Sequence, residues 1–328
     1  MSPASMPQDA PLQPDVTLLP TAVAGRRLTA IGLLILAVSL FSGLDTVAKW
    51  LVTRLHIPLT EVVWLRFAGQ TFYMVLIFGI VGVPGLLTTQ RLSWQLARSC
   101  LMIATTACNF FALQTLRLDQ TVTIIFLAPL VVAALAGPLL GEWVGWRRGL
   151  AIGVGFLGVL IALHPGAAPL SAAVFVAFSG MFAYALFMLL TRHLSALDPP
   201  FVTLFYSMVA GTLLGFPLAL HDWVTPPDLT TWGLLAALGA LGGAGHMLFI
   251  FAYKFAPAST VSPFIYVQLL TMVSSGYLVF GDVPDGWTLA GAAVVIASGV
   301  YLVHRERVTA RSEPADQAPQ RATQLRVR

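Results

Sequence analysis

Charged residues are scarce in this chain: Asp, Glu, Lys and Arg make up 10% of its 328 residues, whereas they make up about 25% of an ordinary soluble domain. Apolar residues make up 57% of the chain. They are concentrated in runs of roughly 20 residues, and a helix of that length spans a hydrocarbon core about 30 Å thick. The composition therefore predicts an integral membrane protein and leaves no room for a soluble catalytic domain.

Cysteine is almost absent, and the two that occur, Cys100 and Cys108, lie in one apolar run. If that run is a helix, they lie about 12 Å apart along its axis, too far for a disulfide. No His or carboxylate stands at metal-ligand spacing from either one. We interpret both as small buried apolar residues, and we expect neither a metal site nor a cofactor.

The sequence also lacks a basic patch that could bind nucleic acid. Of the 18 basic residues, 6 lie from Arg305 to the C-terminus, and the others are scattered at the ends of the apolar runs. Nucleic-acid binding needs a basic face on a folded domain, so we expect no nucleic-acid partner; the apolar runs point to the lipid bilayer instead. Motifs such as HExxH and Gly-x-Ser-x-Gly are missing, so no catalytic residue is predicted.

What the chain does contain is a repeat at an offset of about 140 residues. Pro58 and Gly69 recur 142 positions later as Pro200 and Gly211. Each copy holds five apolar runs, so the second copy enters the membrane from the opposite side. This pattern is typical of inverted-topology transporters, in which a site between the two halves opens to either side in turn. Two further pairs recur, Gly141-Glu142 with Gly281-Asp282 and Gly158-Val159 with Gly299-Val300.

The repeat and the apolar runs predict an all-α integral membrane protein with ten transmembrane helices, arranged as two inverted five-helix repeats. Lipid offers no partner for unpaired backbone groups, so every span should be helical. The predicted repeats cover residues 28–166 and 167–305, and residues 1–27 and 306–328 are predicted to be disordered cytoplasmic tails. The predicted spans are residues 28–51, 60–82, 94–115, 119–140, 146–164, 171–191, 200–220, 231–254, 257–280 and 286–304.

Basic residues at the ends of the spans predict the orientation, because Lys and Arg are enriched on the cytoplasmic side of a membrane. One side of the predicted bundle has only Arg54 and Arg117 and carries several aspartates instead. We therefore expect both termini to lie in the cytoplasm. The basic residues on the cytoplasmic side are Arg26, Arg27, Arg91, Arg98, Arg147, Arg148, Arg192, Lys254 and the arginines from Arg305 onward.

Four ionisable residues in the first two spans are predicted to form one charge cluster. Asp45 and Lys49 lie one helical turn apart near the outer end of span one. Arg66 lies about 9 Å inside span two at helical rise, and an unpaired charge at the bilayer centre costs about 2.5–3.5 kcal/mol. Arg66 should therefore have a carboxylate partner, either Asp45 or Glu61. A structural latch between the two spans and a gate or substrate-recognition group both stay open.

A second set of polar residues is predicted near the middle of the membrane and forms the candidate substrate site. A solute that has shed its water needs buried hydrogen-bond partners and aromatic walls there. His246 could also take up a coupled proton, and the alternative is a neutral histidine bonded to its neighbours. The candidate residues are Asn109, Tyr184, Tyr206, His246, Tyr266 and Gln268.

Two prolines, Pro129 and Pro263, fall inside spans four and nine, which are corresponding spans of the two copies. Proline removes a helical hydrogen bond and kinks the helix. Interrupted helices at matching repeat positions point to a binding site, although a passive kink satisfied by neighbouring helices is the alternative. Glu142, at the end of span four, is predicted to pair with Arg147 and Arg148 across a short turn, in preference to the alternative of a coupling-ion site.

These motifs resemble those of EamA-type carriers of the drug/metabolite transporter superfamily, and the resemblance covers residues 28–305. It implies a ten-helix fold with a central cavity lined by spans three, four, eight and nine. The second copy departs from the family pattern in one motif, with Asp282 where the family usually has glutamate. The matching segments are FSGLDTVAKW with Lys49, PLTEVVWLRF with Pro58 and Arg66, FLAPLVVAALAGPLLGE with Pro129, Gly141 and Glu142, and GFLGVLIALHPG with Gly158-Val159.

The resemblance also implies a function. Members of the family carry amino acids, nucleosides, vitamins such as riboflavin, S-adenosylmethionine and drugs, and LDTVAKWL and EVVWLRF look most like proteobacterial carriers of S-adenosylmethionine or riboflavin. We therefore expect a secondary transporter, not an enzyme, that moves a small polar or amphipathic metabolite across the bacterial inner membrane by alternating access. Proton coupling and exchange both stay open, as do a monomer and a homodimer. The alternative is an integral membrane enzyme or a channel without a recognisable motif.

Overall fold

The computed structural model describes residues 20–81, 85, 87–140, 146–163, 171–194, 197–256 and 261–312. Within these residues every regular element is a helix, and no β-strand occurs. The prediction of an all-helical chain is confirmed for this part of the sequence. The predicted pairing of Glu142 with Arg147 and Arg148 has no outcome, because Glu142 lies outside the described residues.

The helices follow the predicted spans closely in both halves. In the first half they are α1 (Pro20–Thr53), α2 (Leu59–Val81), α3 (Leu92–Leu113), α4 (Leu118–Ile125), α5 (Ala128–Leu140) and α6 (Trp146–Leu163). In the second half they are α7 (Ala172–Leu194), α8 (Pro200–His221), α9 (Leu229–Phe255), α10 (Val267–Ser275) and α11 (Gly286–Ser312). A 3₁₀ helix at Ser262–Tyr266 precedes α10, and a π-helix at Gly276–Phe280 follows it. Helix also extends into the segments predicted as tails, over residues 20–27 and 306–312.

Several of these helices are long and apolar enough to cross a bilayer. The 22 residues of α3 reach about 33 Å at helical rise, which exceeds the hydrocarbon thickness. Large apolar side chains cover the outside of the bundle, as expected where lipid is the solvent; Leu213 and Leu278, for example, are 67% and 78% exposed. The six such segments found among the described residues are Arg26–Thr53, Leu92–Leu113, Leu118–Leu135, Ala172–Leu194, Pro200–His221 and Leu229–Phe255.

The predicted spans four and nine are both interrupted. A turn at Phe126 and Leu127 separates α4 from α5, and Pro129 is the second residue of α5. Proline has no N–H to donate and its ring crowds the preceding turn, which accounts for an interruption at this point. The corresponding span in the second half is divided into the 3₁₀ helix, α10 and the π-helix, and Pro263 lies in the 3₁₀ helix.

The helices pack in pairs that relate the two halves of the chain. Helix α1 packs against α9, and α7 packs against α3. In the same way α2 contacts α9, and α8 contacts α3, while α2 also packs on α8 and α6 on α11. If each helix is exchanged for its counterpart (α1 for α7, α2 for α8, α3 for α9 and α6 for α11), this set of contacts maps onto itself.

The two cysteines differ in their surroundings. Cys108 is half-buried, but Cys100 is exposed, so the interpretation of both as buried residues is wrong for Cys100. Its neighbour Ser99 is fully buried on α3. Successive residues of a helix point about 100° apart, and Cys100 therefore faces the outside of the bundle while Ser99 faces the interior.

Helices α2 and α9 approach each other very closely at two glycines. A Cβ built on Gly239 of α9 would lie 2.6 Å from the Cα of Gly69 on α2. Small residues allow membrane helices to approach to this distance. Near this contact the hydroxyls of Thr71 and Thr212, residues 141 positions apart, form a hydrogen bond of 2.9 Å between α2 and α8.

We predict that Gly239→Ala destabilises the bundle, while Gly233→Ala on the same helix does not. Overpacking a tight contact costs about 1–3 kcal/mol. Nothing lies within 4 Å of a Cβ on Gly233, and alanine favours helix there. The melting temperatures of the two variants in detergent, measured by loss of the monodisperse size-exclusion peak, give the difference. Equal melting temperatures would contradict a tight Gly69–Gly239 contact.

Candidate solute-binding site

Polar side chains from four helices come together inside the apolar bundle. Helices α1, α2 and α3 of the first half each contribute, and α9 contributes from the second half. A bilayer interior offers no water to such groups, so their partners must come from the protein or from a bound molecule. We call this group the central cluster; its members are Asp45, Arg66, Gln70, Thr106, Asn109 and His246.

Arg66 and Asp45 are the charged members of the central cluster, with 7% and 8% of their surfaces exposed. Nη1 of Arg66 donates to the Thr106 hydroxyl at 2.6 Å, and Oδ1 of Asp45 accepts a hydrogen bond of 3.0 Å from the Asn109 amide. The two charges attract each other electrostatically. No ion pair joins them among the contacts of the described residues, so each is held mainly by a neutral residue of α3.

Gln70 and His246 complete the central cluster where α2 faces α9. Gln70 follows Arg66 by four residues and therefore lies on the same face of α2. Its amide packs on the backbone of α9, because a Cβ on Gly242 would lie 2.6 Å from Gln70 Nε2. His246 is one turn further along α9, and its ring lies edge-on to Phe41 with the centroids 4.9 Å apart.

Unsatisfied hydrogen-bonding atoms are concentrated in the central cluster. In the described part of the chain, six buried side-chain atoms lack a partner, and four of them belong to Arg66, Gln70 and His246. Buried polar atoms are normally paired, and each unpaired one costs about 1–3 kcal/mol. A folded protein tolerates several such atoms in one place where another molecule completes them, so the central cluster is the candidate solute-binding site.

Lys49 lies apart from this site, although the sequence predicts it in one charge cluster with Asp45, Glu61 and Arg66. Its Nζ bonds the Leu116 carbonyl at 3.0 Å and Asp282 at 3.3 Å, and lies 4.8 Å from the centre of the Phe280 ring. The reason is position along α1: Lys49 is one turn beyond Asp45, about 6 Å further along the helix axis, and its side chain reaches the end of the bundle. We call this end the Lys49 end.

Glu61 also lies at the Lys49 end. It is completely buried, and its Oε2 accepts a hydrogen bond of 3.1 Å from the Val224 N–H in the connection between α8 and α9. Glu61 and Arg66 are five residues apart on α2, which separates their directions by about 140°. The single predicted charge cluster is therefore divided, with Asp45 and Arg66 in the central cluster and Lys49 and Glu61 at the Lys49 end.

Two of the predicted site tyrosines pack elsewhere. Tyr206 donates its hydroxyl to the Leu87 carbonyl at 2.7 Å, so it lies near the start of α8 and not at mid-membrane. Tyr266 lies edge-on to Phe126, with the ring centroids 5.0 Å apart. Its hydroxyl lies against α11, because a Cβ on Gly299 would come within 1.6 Å of that oxygen.

Tyr184 and Gln268 lie within the bundle but outside the hydrogen bonds of the central cluster. Tyr184 of α7 stacks on Phe187, with centroids 5.9 Å apart, and is close enough to Tyr253 of α9 to interact electrostatically. Gln268 is half-buried near the start of α10. Of the six predicted site residues, the structure thus brings Asn109 and His246 into the central cluster.

Comparison with known proteins identifies the family. The EamA-like transporter family matches residues 28–163 and again residues 171–304. The chain belongs to the EamA-like transporter family. Among solved structures, one crystal structure shares the fold with a TM-score of 0.58 and 15% sequence identity, and the match covers 88% of this chain and 99% of the other.

Curated relatives of this EamA-like chain are named as transporters. A riboflavin transporter of Vibrio cholerae is 29% identical over 83% of this chain and 92% of its own length. An S-adenosylmethionine uptake transporter of Rickettsia conorii is 26% identical, over 85% and 94%. A pseudopaline exporter of Pseudomonas aeruginosa is 27% identical, over 82% and 94%. The protein is therefore a multi-pass bacterial membrane transporter of small metabolites, and not an enzyme.

The EamA-like transporter contains a second buried arginine that sequence analysis assigns only to the membrane boundary. Arg98 of α3 is 5% exposed. Its Nε donates to the Thr191 hydroxyl at 2.7 Å, and its Nη1 donates to the Thr203 carbonyl at 3.0 Å and to the Ser207 hydroxyl at 2.6 Å. Its guanidinium lies 4.2 Å from the centre of the Phe187 ring. The sequence did carry one indication of this burial, since Arg98 is the seventh residue of a membrane helix.

Asp198 fastens the opposite end of the bundle, which we call the Asp198 end. Its carboxylate accepts hydrogen bonds from the Thr89 hydroxyl, the Gln90 N–H at 3.2 Å and the Gln95 amide at 2.8 Å. Burial alone would raise the pKa of Asp198, but these hydrogen bonds together lower it, so the group stays ionised.

In the described residues no group of His, Cys, Asp and Glu could hold a metal ion.

A charged residue at the Lys49 end shows the same balance of effects. Partial burial alone would lower the pKa of Arg117, but the hydrogen bond to Asp119 and the nearby Asp285 carboxylate raise it. Arg117 pairs with Asp119 and lies 3.5 Å from Asp285. Each end of the transporter is thus held together by an ionised side chain, Asp198 at one end and Arg117 at the other.

We predict that Arg66→Gln lowers the melting temperature of the protein and that adding Asp45→Asn restores part of the loss. Asp45 and Arg66 attract each other without forming an ion pair among the described contacts, so removing Arg66 leaves the buried Asp45 uncompensated; for buried pairs in direct contact this cost is about 3–5 kcal/mol. Melting temperatures of the parent, both single variants and the double variant form the cycle, with the exposed Arg54→Gln as control. A double variant no more stable than Arg66→Gln would mean that Asp45 does not balance Arg66.

Proposed function

We propose that this protein is a secondary transporter that moves a small polar or amphipathic metabolite across the bacterial inner membrane by alternating access. The observation that carries this proposal is the position of the central cluster. Its unsatisfied buried atoms belong to α2 of the first half and α9 of the second half. A solute bound there touches both halves, and a relative movement of the halves would expose it to one side or the other.

The proposed architecture is ten spans in two inverted repeats, residues 28–166 and 167–305. Three features support it. The helix contacts map onto themselves when the halves are exchanged, and the Thr71–Thr212 hydrogen bond joins residues 141 positions apart. Corresponding spans of the two halves are interrupted near Pro129 and Pro263. A two-fold relation between the halves would account for all three, because near such an axis a helix packs against its own counterpart, as α2 does against α8.

We assign the Asp198 end to the cytoplasm and the Lys49 end to the periplasm. Basic residues follow this division, since Arg91 precedes α3 at one end while Asp222 and Asp228 lie at the other. Lys and Arg concentrate on the cytoplasmic side of membranes. Both chain termini then lie in the cytoplasm.

Alternating access requires the two ends to separate in turn. At the Lys49 end, the Lys49–Asp282 pair joins α1 of the first half to the segment after the π-helix of the second half. At the Asp198 end, Asp198 precedes α8 of the second half and holds the connection before α3 of the first half. Each contact joins the two halves, so we propose that the first acts as the outer gate and the second as the inner gate.

The transported metabolite is proposed to be an amino acid, riboflavin, a nucleoside or a solute similar to S-adenosylmethionine. The relatives named for riboflavin and S-adenosylmethionine support this range. We propose Asn109 and His246 as direct contacts, with Tyr184 and Gln268 lining the route that leads to the central cluster. His246 is also the proposed site of a coupled proton, because its Nε2 has no partner; a histidine that stays neutral is the alternative, since the nearby Arg66 and Arg98 charges oppose a further positive charge.

Cysteine labelling tests the orientation. In a background with Cys100→Ser and Cys108→Ser, we expect Asp222→Cys to react with an impermeant maleimide in intact cells. Arg91→Cys should react only after the inner membrane is opened, because it lies at the Asp198 end. The opposite pattern would contradict both the orientation and the inverted repeat.

Uptake into proteoliposomes tests the function and the site. We expect the purified protein to transport at least one member of a panel of amino acids, riboflavin, nucleosides and S-adenosylmethionine. Loss of one neutral hydrogen bond costs about 0.5–1.5 kcal/mol, so Asn109→Leu and His246→Leu should weaken apparent affinity by roughly 2- to 13-fold. His246→Gln should in addition flatten the pH dependence if this residue carries a proton.

The surface variant Tyr277→Phe is the matched control for these affinities, because Tyr277 is 57% exposed. Unchanged affinity in both Asn109→Leu and His246→Leu would move the site away from the central cluster. Unchanged pH dependence in His246→Gln would remove only the proton role of that residue.

A further inference from the structure

The unsatisfied atoms of the central cluster are mainly hydrogen-bond donors. Nε of Arg66 and Nε2 of Gln70 are donors only, Nε2 of His246 donates in one of its tautomers, and Oε1 of Gln70 is an acceptor. Arg66 and Gln70 are 7% and 1% exposed, so water has little access to them. A group that presents acceptors to several donors at once would complete this set, and an ionised carboxylate is such a group.

The charges around the central cluster favour the same kind of ligand. Arg66 and Arg98 both act electrostatically on His246, and Asp45 is the carboxylate that acts on Arg66. The hydrogen-bond partners of Arg98 within the described residues are hydroxyls and a carbonyl. The buried region along α3, which we call the path, therefore contains two guanidinium groups, those of Arg66 and Arg98, and one carboxylate, that of Asp45.

The other carboxylates near the interior are already engaged at the two ends of the bundle. Glu61 accepts from the Val224 backbone, and Asp198 accepts from Thr89, Gln90 and Gln95. Asp282 pairs with Lys49. None of these three forms an ion pair with Arg66 or Arg98 in the described structure, so neither guanidinium has a carboxylate in contact, and Asp45 alone leaves one of the two positive charges unbalanced.

We propose that the transported solute carries a single carboxylate, which binds Arg66 beside Gln70 and His246 and compensates this excess positive charge. The inference rests on the proposed function, because it concerns the same central cluster. An unpaired charge in the membrane interior is costly, and a bound anion removes part of that cost. Asp45 lies close enough to Arg66 to repel a second negative charge, which favours one carboxylate over a doubly charged phosphate.

The rest of the solute would meet aromatic side chains. The Arg66 guanidinium lies 4.9 Å from the centre of the Phe67 ring and 5.9 Å from that of Phe110, and Phe41 packs on His246. Suitable probes are therefore aromatic acids paired with amides of the same shape: benzoate with benzamide, and indole-3-acetate with indole-3-acetamide. Within each pair the only change is the replacement of a carboxylate by a neutral amide.

The experiment measures the affinity of each probe for the purified full-length protein, from the rise in melting temperature during a titration. We expect at least one of the two acids to bind at least about tenfold more tightly than its amide, a difference equal to about 1.4 kcal/mol. Arg66→Gln should remove this preference, while Arg66→Lys, which keeps the charge but loses the planar donors, should retain part of it. The exposed Arg54→Gln is the matched control and should behave like the parent.

If Arg66→Gln does not fold, the Arg66→Gln/Asp45→Asn double variant takes its place, because it removes both charges together. The inference is overturned if neither acid binds the parent more tightly than its amide, or if an acid keeps its full preference in the variant without Arg66. Binding in detergent does not depend on transport, and uptake into proteoliposomes is measured separately. If the protein takes up neutral solutes but shows no preference for the acids, the carboxylate inference is overturned while the proposed transport function stands.

Discussion

The bilayer gives polar groups no water to bind, and this constraint governs the rest of the structure. Each buried polar side chain must find a partner on another helix or on its own backbone. Many do so: Ser42 bonds Thr271 across α1 and α10, and Arg66 bonds Thr106 across α2 and α3. Because such pairing is the rule, the few atoms that lack it are informative. Their concentration on Arg66, Gln70 and His246 is what makes the central cluster the candidate solute-binding site.

The contact that brings α2 and α9 together also builds this site. Glycine at positions 69 and 239 lets the two backbones touch, which places the face of α2 that carries Arg66 and Gln70 against α9. Gly242 then receives the Gln70 amide, and His246 follows one turn later. A larger residue at the glycine contact would separate the helices and disperse the donors. The fold and the candidate site therefore both depend on the close contact of α2 with α9 at Gly69 and Gly239.

Most of the helices and part of the candidate site can be predicted from the sequence. Apolar runs of the right length predict the spans, and mid-span prolines predict the interruptions, because both signals are local. Asn109, His246, Asp45 and Arg66 were identifiable as polar residues in apolar helices. Spacing along one helix does not reveal which neighbouring helix a side chain faces, which is why the partners of Lys49 and the depth of Tyr206 differ from expectation. Gln70 and Arg98 are also polar residues within apolar spans, so the sequence could have singled them out in the same way. Their roles become visible only in the folded structure, where Gln70 packs on α9 and Arg98 bonds α8.

The two ends of the bundle and its centre contribute differently to alternation between states. The Lys49–Asp282 pair keeps only 10% and 27% of its side chains accessible, and Asp198 is 4% exposed, so both end contacts lie largely out of water. Alternation between states requires these contacts to break and re-form in turn. A ligand shifts a conformational equilibrium only through its different affinity for the two states. The buried donors of the central cluster are where such a difference can be large, since their desolvation is already complete. In the proposed mechanism the two end contacts open in turn, and the solute bound at the central cluster shifts the balance between the two states.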